Sequence, residues 1–177
     1  MIADKKLPKD FKVLIVYPNL PLMLIPSMAI GLFTRIYKEL GYQLDLFETT
    51  YYASEQTSTS ENRVKLLQAR EFNFTEEIGI TIKYDILGDF RRKVEKFKPD
   101  LMVFTVVEDA FQQTVELLGC VQELCVPHLI GGVFPTNAPQ RCFDFPEIKM
   151  VGLGEGETSA SLVSEAIRKR QTLNNIP

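Results

Sequence analysis

The residues best placed to do chemistry in this sequence are glycines. Gly131-Gly132 directly follows one apolar run, and Gly152-Leu153-Gly154-Glu155-Gly156-Glu157 follows another. Two adjacent glycines at a strand end remove both side chains, so a second surface can approach the backbone and meet its amide donors. The alternative for the pair is a plain tight turn. The longer run is not a phosphate loop of the Walker type, because no GKS or GKT follows. Nor does GxGxxG stand behind the first apolar run, where a dinucleotide fold needs it. Glu155 and Glu157 would oppose a pyrophosphate, and their ordinary role is to stabilise the positive end of a helix. A crevice built from these turns is glycine-lined, apolar and nearly free of cations. That suits a large amide-bearing ligand better than a nucleoside triphosphate.

Other chemistries are poorly served. A single histidine, His128, cannot fill several catalytic roles, and no GxSxG, CxxC or HExxH pattern occurs. Cys120, Cys125 and Cys142 lack the spacing of a zinc site or a disulfide framework. They point to a reducing, cytoplasmic setting. No CxxxCxxC is present to hold an iron–sulfur cluster. The net charge of −3 and pI near 5.3 leave no electrostatic footprint for nucleic acid. Arg91-Arg92-Lys93 falls in a helical pattern and reads as a solvated face. Residues 13–33 carry no charge and follow Lys5, Lys6, Lys9 and Lys12, as a signal peptide or membrane span would. Pro18, Pro21 and Pro26 break that stretch, since each removes a helical hydrogen bond. No membrane partner is expected.

The elements that must position the glycines follow from periodicity. With 177 residues, 45% apolar and 24% charged, the chain has ordinary globular usage and can bury a real core. We expect one domain over 1–177. Lys12-Val13-Leu14-Ile15-Val16-Tyr17 reads as a strand buried on both faces. Ile30, Phe33, Ile36, Tyr37 and Leu40 share one face of a helix over 28–40, and Gly41 stops it. Leu44-Asp45-Leu46-Phe47 completes a βαβ unit. Residues 49–82 interrupt the alternation and read as a surface insertion, with a short helix over 63–70 and a small edge strand over 78–82. The pattern then resumes: helix 84–97, strand 101–107, helix 110–124, strand at 129–130, one helical turn at 139–143, strand 148–151, helix 158–170. This predicts an α/β, flavodoxin-like (Rossmann-like) three-layer sandwich around a five-stranded parallel sheet of order 2-1-3-4-5.

In such a sheet, ligands bind beyond the carboxyl ends of the strands at the switch point. That rule selects four loops, 18–27, 108–109, 131–136 and 152–157. In the first, Asn19 and Ser27 are the polar candidates. Leu20-Pro21-Leu22-Met23-Leu24-Ile25-Pro26 between them either folds back over the core or forms a greasy lid against a flat ligand or a neighbouring domain.

Four stretches in order, KVLIVYPN, KPDLMVFTVV, PHLIGGVFPTNAPQ and VGLGEGE, resemble the cobalamin (vitamin B12)-binding domain that precedes many radical SAM cores. The family pattern is a KVLLVxPP-like first strand, a PDxVGxS strand, a GGxHPT turn and a VxGEGE turn. The resemblance covers nearly the whole chain, with 49–82 poorly anchored. It implies that Thr105 lies near the buried nucleotide tail of cobalamin, with Val107, Glu108 and Asp109 lining the same loop. Gly131 and Gly132 match the glycine pair that lets the tail slide between strands, Val133 beside them is a further cofactor-binding candidate, and Pro135 and Thr136 match the end of the GGxHPT turn. Phe134 departs from the pattern, standing where His is common. Gly154, Glu155, Gly156 and Glu157 match GEGE. The corrin ring would lie over the strand ends.

A related branch takes its cobalt-ligating His from DxHxxG after the first strand. Here that segment is PNLPLMLIPSMAIG, without His. His128 begins the fourth strand, about 10 Å below the crevice, and is expected to be structural or partly exposed, its other possible role being a cobalt ligand. The resemblance therefore implies a base-off cobalamin with no protein histidine on cobalt, and no other metal site. It also implies that the chain is a portion of a longer protein. An absent radical SAM domain, with S-adenosylmethionine and a 4Fe–4S cluster, would perform methyl transfer or another radical reaction. Two other readings stand beside this one. An FMN binder of the same fold needs a Ser/Thr-rich phosphate loop after strand one, and PNLPLMLIPS offers one Ser. A degenerate interaction domain would keep the fold and bind nothing. A phospho-acceptor site is not supplied by Asn19 and Glu108-Asp109.

Overall fold

Residues 10–25, 27–53, 64–67 and 73–173 are described by a computed structural model of the chain. Of the expected insertion over 49–82, residues 54–63 and 68–72 lie outside them, so the helix expected over 63–70 is only partly covered; residues 1–9, Pro26 and the last four residues lie outside as well. Four strands form one parallel sheet of order β2-β1-β3-β4. They are β1 (Lys12–Tyr17), β2 (Gln43–Glu48), β3 (Leu101–Thr105) and β4 (His128–Gly131). The order reverses between β1 and β3, as expected.

Side-chain alternation along the strands assigns the two faces of the core. Leu14, Val16, Met102, Phe104 and Ile130 point to one side, against Phe90 and Val94 of α3 (Ile86–Phe97) and Val115 and Leu118 of α4 (Phe111–Cys120). Val13, Leu101, Val103 and Leu129 point to the other, against Tyr37 of α1 (Met28–Glu39) and Ala160 and Val163 of α7 (Gly156–Lys169). Sheet and two helical layers make the three-layer sandwich. Each fully buried large side chain here contributes about 1.5–3 kcal/mol. Leu40 and Gly41 close α1, Gly41 taking a left-handed φ of 77° while its amide donates to the Lys38 carbonyl. Asp85 caps α3, its carboxylate accepting from the Gly88 amide at 3.0 Å.

The fifth strand is not formed. Residues 148–151 reach β4 through one parallel bridge, Ile130 to Val151. The Ile130 amide donates to the Met150 carbonyl and the Gly152 amide donates to the Ile130 carbonyl. Below that rung the His128 imidazole accepts from the Lys149 amide at 3.2 Å, so a side chain takes the place of the next backbone bond. The edge strand expected over 78–82 is also absent. Instead α2 (Phe74–Ile78) precedes a single bridge from Tyr52 to Lys83. The third strand stops at Thr105, not 107, and turns through a 3-10 segment, Glu108–Ala110. A short helix, α5 (Val133–Asn137), follows the glycine pair and was not anticipated. Pro135 sits in its first turn, where the missing N–H costs nothing. α6 (Pro139–Phe143) is the expected helical turn, and α7 starts two residues before the expected position.

Candidate functional site

The carboxyl ends of β3 and β4 are stitched together by their turns. Thr105 stands beside Gly131 in the ladder, and the Val106 amide donates to the Gly131 carbonyl at 2.8 Å. Gly132 then adopts φ 111° and ψ −171°, a region that only glycine occupies. A Cβ at this position would lie 2.6 Å from the Val106 carbonyl oxygen. Gly152 is held to Ile130, and Gly154, at φ 68°, donates its amide to the Thr136 hydroxyl at 3.1 Å. The result is a glycine wall across the ends of the strands, facing α1.

Between this wall, α1 and the start of α7 lies a slot of about 160 Å³. Val103 and Leu129 floor it, and Phe33 and Ala160 close its sides. A cavity of roughly this size accepts a single benzene-like ring. Among the described residues no Lys or Arg lines it. Its charges are Glu155, the N-cap of α7, and Glu157 in the first turn, both placed to complement the helix end. Such a slot accepts a flat, uncharged group with apolar faces, and its exposed amides serve polar edges.

Six of the expected site residues meet at this slot: Thr105, Gly131, Gly132, Gly154, Glu155 and Gly156. Thr136 supports it through Gly154. Val133 is exposed near it, and Pro135 is buried beneath. Val107 is exposed, and Glu108 and Asp109 belong to the 3-10 turn leading into α4, with Asp109 on a separate hollow beside Glu116. Ser27 is the N-cap residue of α1, without a side-chain cap bond. Asn19 is buried and fully used. Its amide nitrogen donates to the Met23 carbonyl and the Thr50 hydroxyl, and its oxygen accepts from the Leu20 amide. It staples the first loop. That loop does not fold back over the core: Met23, Leu24 and Ile25 are exposed, as is Met28 at the start of α1.

Sequence reasoning missed the side of the slot built by helices. Phe33 lies on the apolar stripe of α1 with Ile30, Ile36, Tyr37 and Leu40, which gives it the signature of a core position. Its ring carbon Cζ lies 2.8 Å from where a Gly156 Cβ would be. The signal was Phe33 and Ala29 four residues apart on one face, opposite the small pair Ser159-Ala160 at the start of the last helix. Phe134, the departure from the family pattern, packs on Phe111 with ring centroids 4.5 Å apart and belongs to the core.

The titratable groups near the fold's centre are structural. His128 is buried at the amino end of β4, its Nδ1 facing the Val126 carbonyl and its Nε2 accepting from Lys149. Burial pushes its pKa below the ordinary imidazole value, assisted by the Lys149 charge. Burial raises the Cys120 thiol to about 11, so it is not an activated nucleophile. Burial also works against ionisation of Glu165 on α7. Hydrogen bonds from Arg168, Tyr42 and Lys169 outweigh it and bring the carboxyl down to about 2. Among the described residues no group of His, Cys, Asp and Glu is arranged to hold a metal ion. No helix among them is long and apolar enough to cross a membrane.

The fold is shared with cobalamin-dependent enzymes. The radical S-adenosylmethionine methyltransferase TsrM from Kitasatospora setae, in a structure with cobalamin and a 4Fe–4S cluster bound, matches with a TM-score of 0.68 at 18% identity. That match covers 94% of this chain and 28% of the other. The same enzyme with tryptophan substrate and the SAM analogue aza-SAM bound gives 0.68 and 18%, over 94% and 27%. The cobalamin-dependent S-adenosylmethionine radical enzyme OxsB, with aqua-cobalamin and S-adenosylmethionine bound, gives 0.61 at 15% identity, over 93% and 20%. This chain thus spans less than a third of either enzyme's length. No protein-family model matches the chain, and no curated protein matches it. At these identities the likeness establishes a shared α/β architecture.

Proposed function

We propose that this chain is a cobalamin-carrying module, holding the cofactor base-off with its nucleotide tail in the slot between α1 and α7. The observation that carries this reading is the glycine wall. Gly131, Gly132, Gly154 and Gly156 come from two separate turns and meet at one apolar slot at the carboxyl ends of β3 and β4. The fold's likeness to enzymes solved with cobalamin bound supports it. No histidine stands in the loop after β1, and the sole histidine lies at the opposite end of β4, which supports a cobalt without a protein nitrogen ligand. When bound, cobalamin supplies a cobalt centre that carries a methyl group or joins a radical reaction. The chain's own residues bind and orient: the glycines admit the tail, Thr136 holds the Gly154 turn, and the exposed Leu24, Ile25, Val107 and Val133 present an apolar rim to the corrin. Catalysis would belong to an attached radical SAM domain.

The test is equilibrium dialysis of the purified chain against hydroxocobalamin, followed by EPR of the reduced cob(II)alamin complex. Stoichiometric retention and an axial signal without nitrogen superhyperfine splitting are expected. Splitting from a nitrogen ligand would refute the base-off, histidine-free mode. The close approach of Phe33 to Gly156 favours one competing reading, a domain that keeps the fold and binds no corrinoid. Failure to retain cobalamin would select it.

A further inference from the structure

Phe33 does not behave like its neighbours in the core. It begins a column of aromatic rings that runs from the slot into the domain. Its ring stacks on Tyr37 at 6.3 Å and 26°, and Tyr37 stacks on Tyr42 at 6.0 Å and 24°. Tyr37 and Tyr42 are buried, whereas Phe33 is only half-buried. The inner two rings are fixed by the core around them, and the outer one has solvent beside it. On its own face the preceding turn of α1 offers Ala29, half-buried and with only a methyl group, so no bulky side chain stands over the ring on the slot side.

The ring also stands where something else is expected. It fills the space that a Gly156 side chain would take, and it leaves a slot with room for one ring. A nucleotide tail has a two-ring base and a ribose, which exceed that room. Helical aromatic residues have two accessible χ1 wells, near 180° and −60°. A change between these wells at Phe33 would move the ring off Gly156 and enlarge the slot without moving the backbone.

We propose that Phe33 is the movable wall of the slot, lying against Gly156 when no tail is present and swinging aside to stack on the planar base of the tail when one enters. The proposal rests on the cobalamin reading for the identity of the guest. The closed position of the ring stands independently of it. Phe33 is thus a specificity-determining residue: it selects a guest with a flat aromatic base and leaves corrinoids lacking that base indifferent to its presence.

The test compares the wild-type chain with Phe33→Ala and Phe33→Leu against three probes. They are hydroxocobalamin, cobinamide (which lacks the nucleotide tail) and α-ribazole, the isolated tail nucleoside. Stopped-flow association and dissociation rates are measured for each. For hydroxocobalamin and α-ribazole, both substitutions should speed association, and dissociation should rise about fivefold or more as a stacking face is lost. Cobinamide rates should be unchanged. Equal rates across the three proteins, or cobinamide accelerated as much as the tailed probes, would overturn the gate. If α-ribazole binds and distinguishes Phe33 while no corrinoid binds, the gate stands and the cobalamin reading falls. If α-ribazole binds none of the proteins, the gate falls whatever the corrinoids do. A thermal-melt cycle reads the closed position directly. Gly156→Ala should lower the melting midpoint of the wild-type chain and raise it in Phe33→Ala, where the added methyl has space and alanine favours the helix. Equal shifts in both backgrounds would place the ring elsewhere and overturn the proposal.

Discussion

At Gly132 two independent restrictions coincide, because the backbone is in a region closed to L side chains and the Val106 peptide lies where a Cβ would go. Relaxing one does not relieve the other. Gly132→Ala should therefore destabilise the chain by about 3 kcal/mol, near the upper end for a strained residue of this type. Chemical denaturation checks this, and a loss below about 1 kcal/mol would mean that the turn rearranges freely. Gly131, next to it, has ordinary space around it, with its nearest neighbour at 3.9 Å, so Gly131→Ala should be much milder. The glycine wall was legible in the sequence because glycine at a strand end has few other uses. Phe33 was not, since a phenylalanine on the apolar stripe of a helix carries the same signature whether it faces a core or a cavity. Asn19 misled for the opposite reason. A polar residue just after β1 marks a site in many folds, but here the Met23 carbonyl, the Thr50 hydroxyl and the Leu20 amide take up its side-chain hydrogen bonds.

Among the elements, the first βαβ unit was readable down to its stop signals, because β-branched runs, a 3.6-residue stripe and Gly41 all agree. The segment 148–151 was not. Its residues suit a strand, but His128 competes for the Lys149 amide and leaves one rung. That exchange makes the segment sensitive to pH. The folded chain holds His128 neutral, with its pKa depressed by burial, while the unfolded chain titrates near 6.5. The stabilising contribution is complete above that value and is lost as pH falls toward the folded-state pKa. The urea midpoint should fall between pH 7 and pH 5, and His128→Asn should flatten the slope. An unchanged slope in that variant would show that other groups carry the acid sensitivity. Glu165 adds little in this window, since its contribution is lost only as pH falls from the ordinary carboxylate value of 4.5 toward its folded-state pKa of about 2.

Across the whole molecule, the two faces of the sheet are sealed by helices, and one group of exposed apolar side chains gathers at the carboxyl end, apart from others such as Leu40, Leu66, Tyr84 and Phe143. Leu24, Ile25, Met28, Val107, Val133 and Leu153 are exposed there, in the segments that follow β1, β3, β4 and residues 148–151. Apolar groups gathered on one end of a domain mark a contact surface. Ile25→Gln combined with Met28→Gln should lower binding of an apolar dye such as ANS while shifting the thermal midpoint by no more than a degree or two. A large loss of stability would show instead that these side chains support the core. This distribution could be anticipated from the charge-free stretch 13–33, although the sequence left open whether the loop covers the core or faces outward. Asn19 and the Thr49-Thr50 pair decide it, across a gap of thirty residues that periodicity does not bridge.

The lone Ile130–Val151 rung has a kinetic consequence. Two backbone hydrogen bonds and the bond from the Lys149 amide to the His128 side chain tie the segment leading to Gly154 to β4, whereas β1 and β3 share a full ladder. Opening that seam is a sub-global event, far cheaper than melting the sheet. Hydrogen exchange should accordingly run fast around Gly152 and slowly at Val103. A guest held in the proposed slot would then be able to depart while the remainder of the domain stays folded, its residence time and the protein's melting temperature being set by different bonds.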